Sequence, residues 1–232
     1  MLVNQLKAEK TYGISFRNAD KKADFGWQAG VWANGVDEDS IWCVPSFDSD
    51  NGYLIGLGVN YATGKNSRLY LDYMHSTRHE NRDSSYAYEG SGARDVVALT
   101  WETKQDKFAF MAEAMAGFDV YQKDADNVYG IVLMPSYRLS KHWEGVFRYQ
   151  LASGSNAVKH DSRYSTTNTT YKSGCDLAQG FYFGANYYVS PENPHALKLM
   201  FGAEYTNSHG TNPKGEKGFT GWSFTSALRA NF

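Results

Sequence analysis

Few residues in this chain have the types and spacings that catalysis or metal binding requires. His75 and His79 have H-x-x-x-H spacing, but on an extended strand their rings lie on one face about 13 Å apart, too far to share a metal ion. Ser76 follows His75 directly, so on a strand it points to the opposite side and no Ser–His pair for acyl transfer forms. The sequence contains no P-loop, dinucleotide fingerprint or EF-hand loop. Cys43 and Cys175 lie far apart without C-x-x-C spacing, which argues against a zinc site or a thioredoxin-type centre and leaves one disulfide as an option in an oxidising compartment. The chain therefore reads as a non-enzyme, with no metal and no cofactor.

What remains is charge. Arg17, Arg68, Lys104, Lys107, Arg138, Arg148, Lys198 and Arg229 fall on one parity of alternating segments, together with the acids Asp72, Glu102, Glu113, Asp119, Glu144 and Glu204. Cations lining a water-filled path raise the local anion concentration and lower the barrier to anion passage. The same side chains can equally solvate a wall and pair with neighbours such as Glu102 and Glu144. Gly58, on this polar parity, is expected to tolerate Ser.

The elements that must position these charges are strands. Alternating stretches run over about 11–18, 24–34, 52–64, 67–79, 94–105, 107–121, 128–140, 143–155, 178–190, 195–208 and 219–232. In 52–64 the odd positions are Tyr53, Ile55, Leu57, Val59 and Tyr61, opposed by Gly56, Gly58, Asn60 and Ala62. The same split sets Trp143, Phe147, Tyr149 and Leu151 against Glu144, Arg148 and Gln150, and no helical period competes. Short connections such as "TGKN" and "QD" alternate with long ones rich in Asp, Ser, Gly, Asn and Thr, over 35–51, 80–93, 156–177 and 209–218.

Alternation alone does not separate a soluble sandwich from a membrane barrel, because both hide one face of each strand. Strand length does more: about ten residues, tilted, cross a hydrocarbon layer, whereas soluble strands average five or six. Aromatics also crowd the strand ends, as Tyr53, Tyr61, Trp101, Phe108, Trp143, Tyr187 and Trp222. The chain has 25 acidic and 23 basic residues, so binding to nucleic acid driven by net charge is not expected. Mean hydropathy is −0.55, and no apolar run approaches the length of a spanning helix. The expected fold is all-β, an antiparallel transmembrane β-barrel with about 11–12 strands present.

The order of "YGISF…FGWQAGVWANG", "GYLIGLGVNYATG", "FRYQLASG", "GFYFGANYYVSPENPHALKLMFGAEY" and "FTSALRANF" resembles the C-terminal part of the phosphate-selective porin O and P family of Gram-negative outer membranes. The resemblance covers most of 11–232, and its specificity lies in the order of the pieces rather than in any catalytic motif. It implies an outer-membrane porin, a water-filled channel for passive diffusion of small hydrophilic, anionic, phosphate-like solutes. It also implies a homotrimer, contact with outer-membrane lipid, and Phe232 as a terminal aromatic read by the barrel assembly machinery. Short turns would then be periplasmic and long loops extracellular. The alternative is a barrel with a closed lumen serving as structural anchor or adhesin.

Eleven strands is an odd number, and the family resembled has sixteen. Residues 1–232 are thus expected to form a single barrel domain lacking its first strands, its signal peptide and the inward constriction loop, with Met1 an internal methionine or a truncated start. "MLVNQLKAEK" shows no secretory signal, and as a twelfth strand it alternates poorly. Pro135 interrupts a strand that has no free edge, so a bulge is expected there.

Overall fold

A computed structural model describes residues 13–18, 23–33, 35–36, 45–46, 52–77, 93–120, 127–159, 174–193, 197–209 and 220–230. Each of the eleven alternating segments forms a strand. They are β1 (Gly13–Arg17), β2 (Phe25–Ala33), β5 (Tyr53–Gly64), β6 (Ser67–Ser76), β7 (Ala93–Gln105), β8 (Phe108–Val120), β9 (Val128–Arg138), β10 (Trp143–Lys159), β11 (Gly174–Tyr188), β12 (Leu197–His209) and β13 (Thr220–Ala230). Between β2 and β5, the short strands β3 (Gly35–Val36) and β4 (Pro45–Ser46) pair as a separate two-stranded ribbon. The eleven long strands make one sheet in sequence order. Every recorded pairing is antiparallel, and among the described residues β1 and β13 are the two edges.

The short connections hold their shape through local polar groups. Asn18 closes the β1–β2 turn by accepting from the Trp27 amide at 2.8 Å and donating to the Phe25 carbonyl at 3.1 Å. Asp106 turns β7 into β8 with φ 46, a left-handed conformation that a short polar side chain tolerates. Ser140 Oγ accepts from the amides of His142 at 3.2 Å and Trp143 at 3.1 Å, which positions the entry to β10. Pro135 causes no bulge. The β8–β9 ladder runs straight through it, with Phe110 opposite Pro135. On its other side the register with β10 is the same before and after the proline, as Val146 opposite Ser136 and Tyr149 opposite Leu133. The missing N–H is absorbed by a local gap in pairing rather than by an inserted residue.

Parity assigns the faces. Ile14, Phe16, Trp27, Leu57, Leu71, Leu99, Leu133, Phe183, Phe201 and Phe224 are all exposed on the outer face. Rings from neighbouring strands meet there: Trp143 with Tyr187 at 4.9 Å, Tyr149 with Phe181 at 5.0 Å, Phe147 with Phe183 at 5.2 Å and Tyr205 with Trp222 at 5.3 Å. Such cross-strand aromatic pairs fix register as well as adding roughly 0.5–1.5 kcal/mol each beyond their area. On the inner face, residues at the long-loop end are buried, including Leu54, Ser76, Ala152, Ala178, Thr206 and Ser208.

Cys175 carries a buried thiol whose Sγ donates to the Val158 carbonyl at 3.4 Å. Cys43, His79, Phe232 and the suggested strand over residues 1–10 lie outside the described residues.

Candidate pore-lining site

The inner face is concave. A cavity of about 1050 Å³ is lined by residues reaching from Asp24, beside β2, to Asn186 on β11, which requires the sheet to curl around it. It sits at the short-turn end, where Lys65, Asn66 and Lys104 form its rim.

Most of the basic residues picked out by parity belong to strands on this face. Arg68 on β6 faces Glu102 on β7, and its guanidinium donates to Asn60 Oδ1 and, at 2.8 Å, to the Ala23 carbonyl. Lys104 sits near the end of β7, opposite Ala109. Arg138, at the end of β9 opposite Glu144, lies 4.2 Å from the centre of the Tyr188 ring and donates to the Lys141 carbonyl at 3.3 Å. Lys198 on β12 approaches the same ring at 5.9 Å. Arg148 on β10 pairs with Glu204 on β12 at 3.0 Å and lies 5.1 Å from the Tyr182 ring. Arg17 and Arg229 occupy the two edge strands and are exposed. Lys107 lies in the two-residue turn between β7 and β8 rather than on a strand, and its carbonyl accepts from the Arg138 amide at 2.8 Å.

Glycines let these groups meet across an intervening strand. Gln28 on β2 donates to Asp72 on β6 at 3.3 Å over Gly58, where a Cβ would also lie 2.8 Å from Gln28 Cγ. Ser at Gly58 therefore has to displace that pair, contrary to the tolerance its polar parity suggested. Gly180 plays the same part beneath Gln150 and Glu204, which hydrogen bond at 2.9 Å.

The acids are held largely by neutral donors. Glu144 accepts from Tyr188 Oη at 2.5 Å, Asn186 Nδ2 at 2.9 Å and Ser136 Oγ at 3.2 Å. Glu102 accepts from Tyr70 Oη at 2.5 Å. Parity counting missed these tyrosines because it treated aromatics as outer residues. Tyr70, Tyr182 and Tyr188 fall on the polar parity, which is the signal that finds them. It also passed over Arg94, the second residue of β7, which pairs with Asp119.

The outer face also carries polar groups, such as Ser67 with Thr103 and Thr220 with Asn207, and one cluster includes a carboxylate. Asp95 Oδ1 accepts from Tyr73 Oη at 2.6 Å and contacts His75 Nδ1 at 2.8 Å. Ser76 is buried on the opposite face, so His75 and Ser76 are not brought together. No cluster of three metal-ligating side chains occurs among the described residues.

An open, curled, antiparallel sheet with apolar side chains outside and hydrogen-bonded polar ones inside inverts the arrangement of a soluble sandwich. The chain is similar in fold to Salmonella typhi OmpF in complex with Daunomycin. The two superpose with a TM-score of 0.60 at 14% identity, over 93% of the present chain and 60% of that one. The fold is porin-like. The chain spans less than two thirds of the length of that neighbour. No protein-family model and no curated protein matches the sequence.

Proposed function

We propose that the chain forms part of the wall of an outer-membrane porin, a channel for passive diffusion of small hydrophilic solutes. The observation that carries this reading is the inverted polarity of the sheet: large apolar side chains such as Leu57, Leu133 and Phe183 are exposed on one face, while the charged and hydrogen-bonded side chains line a cavity on the other. In water the exposed face would be a severe aggregation liability, and in a bilayer it is the low-energy surface. In the eleven-stranded sheet the strands reach 9–17 residues apart from the edge strand β1, which suits a tilted crossing of the hydrocarbon layer. The porin-like neighbour supports the same assignment.

Anion preference is the finer part of the proposal. Among the inner acids Glu204 and Asp119 are ion-paired, with Arg148 and Arg94, and Asp72, Glu102, Glu113 and Glu144 are held by neutral donors, whereas Lys104 and Lys198 form no ion pair among the described residues. Uncompensated ammonium groups at the short-turn end favour anions. In this reading the protein belongs with the phosphate-selective porins, its short turns face the periplasm, it assembles as a homotrimer, and Phe232 serves the assembly machinery. The test is reconstitution of the protein in planar bilayers: stepwise conductance with an anion-directed reversal potential in a salt gradient is the expected result.

A specific observation favours one second reading, a barrel with a closed lumen acting as anchor or adhesin. Inner-face residues at the long-loop end, among them Leu54, Ser76, Val128 and Thr206, are almost fully buried. A reconstituted protein that inserts but never conducts is the outcome this reading requires.

A further inference from the structure

One stretch of the inner wall is wrong for a surface that only carries water and ions. On β8, β9 and β10 the inward positions Met111, Met115, Val132, Met134 and Val146 are apolar. Met115 and Val132 are buried, but Met111, Met134 and Val146 are only partly covered and line the 1050 Å³ cavity. Met111 and Met134 stand directly opposite each other across β8 and β9. Beside them, the next row toward the short turns runs Lys104, Ala109, Ser136 and Val146, placing one ammonium at the edge of the apolar floor.

We propose that this part of the wall is a binding subsite for an organic anion with an aromatic body, the ring seated on Met111, Met134 and Val146 and the carboxylate or phosphate directed at Lys104. The inference rests on the channel reading for the solute's route and adds to it a solute class. Three observations carry it. Thioethers are flexible and polarizable, and they make favourable contacts with ring edges. Neutral donors hold Glu102, which stands opposite Met111, and Glu144 in place but leave both charged, so the group at this edge that can meet an acid is Lys104, which forms no ion pair among the described residues. The span also fits: Lys104 on β7 and Met134 on β9 are two strand spacings apart, about 10 Å at the backbone, and the side chains shorten that to the length of a ring bearing one acid group. A bare oxyanion satisfies Lys104 but leaves the apolar floor wet, so the site discriminates by the body of the solute rather than by charge alone.

The test uses benzoate as probe and acetate as control, with methyl-¹³C methionine in the protein refolded into lipid nanodiscs. The Met111 and Met134 methyl signals are expected to shift saturably with benzoate and not with acetate, while Met200, on β12, stays unmoved. The double variant Met111→Gln, Met134→Gln is expected to bind benzoate about tenfold more weakly, the scale for losing apolar contact in such a pocket. Lys104→Gln should weaken benzoate while leaving the response to uncharged benzyl alcohol in place. Equal responses to benzoate and acetate, or no methyl shift at all, overturn the proposal. Methyls that also resist a soluble paramagnetic quencher would mean that another part of the polypeptide already covers the patch, which overturns it too. Shifts in a protein that does not conduct overturn the channel reading and uphold the subsite, and conductance without shifts does the reverse.

Discussion

Glu204 ties together the inner face across β11, because Arg148 and Gln150 on β10 both reach it past Tyr182 and Gly180. Arg148 Nε is shielded and has no partner of its own, so the guanidinium depends on this carboxylate for its compensation. Glu204→Ala is expected to lower stability by about 1–3 kcal/mol, the cost of leaving a shielded polar group unpaired. Ser223→Ala, across from Glu204 on β13, should stay within about 0.5 kcal/mol. Urea unfolding from lipid vesicles measures both, and equal midpoints would reduce the pair to an ordinary surface contact. The same logic governs Gly58→Ser, which should cost about 1 kcal/mol through overpacking against Gln28 and Asp72. In an Asp72→Ala background that cost should shrink, since one of the crowded partners is gone.

Strands and turns make a different kind of demand, set by face and by handedness. Leu133 on β9 and Leu57 on β5 are exposed on the outer face, so Arg at either should impair folding into bilayers by about 2–4 kcal/mol near the midplane. The opposite face is the control: Asn186→Lys places the same charge beside Glu144 and should fold nearly as well as the parent. Folding yield into vesicles, read by heat-modifiable gel mobility, separates the two, and equal losses at both sites would mean that the faces are misassigned. At the β7–β8 turn, Asp106 sits at φ 46, where a β-branched side chain is strained. Asp106→Val should therefore destabilise by about 1–2 kcal/mol and Asp106→Gly should not, as judged from urea midpoints.

For the whole molecule the measurable property is the field along the inner wall. Neutralising Arg138, Arg148 and Lys198 to Gln should move the reversal potential in a salt gradient toward cations without abolishing conductance, and high salt should shrink the difference. The three should not contribute equally. Arg148 is already compensated by Glu204, so Lys198→Gln alone should shift the potential more than Arg148→Gln alone. A larger shift from Arg148 would mean that its ion pair opens in the conducting state. An unchanged potential in the triple variant would leave these residues as wall solvation only.

The strands were legible in the sequence because a strand's side chains alternate whatever surrounds it: each of the eleven segments read from period-two patterning is a strand, with ends mostly within a few residues. Turn chemistry at Asn18, Asp106 and Ser140 is local too, so the short connections could be placed by eye. Periodicity says that two faces differ but not which residues on one face touch, because that depends on register and curvature. Only the tertiary structure brought Arg148 to Glu204 and Gln28 to Asp72, pairs 56 and 44 residues apart in the chain. It also decided against the two expectations that rested on local rules. Pro135 needs no bulge, because its neighbours keep register on both sides, and a side chain at Gly58 has to displace Gln28 and Asp72, which meet over it from the two neighbouring strands. The inward methionines were present in the alternation from the start. Their meaning emerged only when curvature put them on the floor of one cavity with Lys104 at its rim, since hydrophobicity along a strand carries no information about what the facing strands enclose.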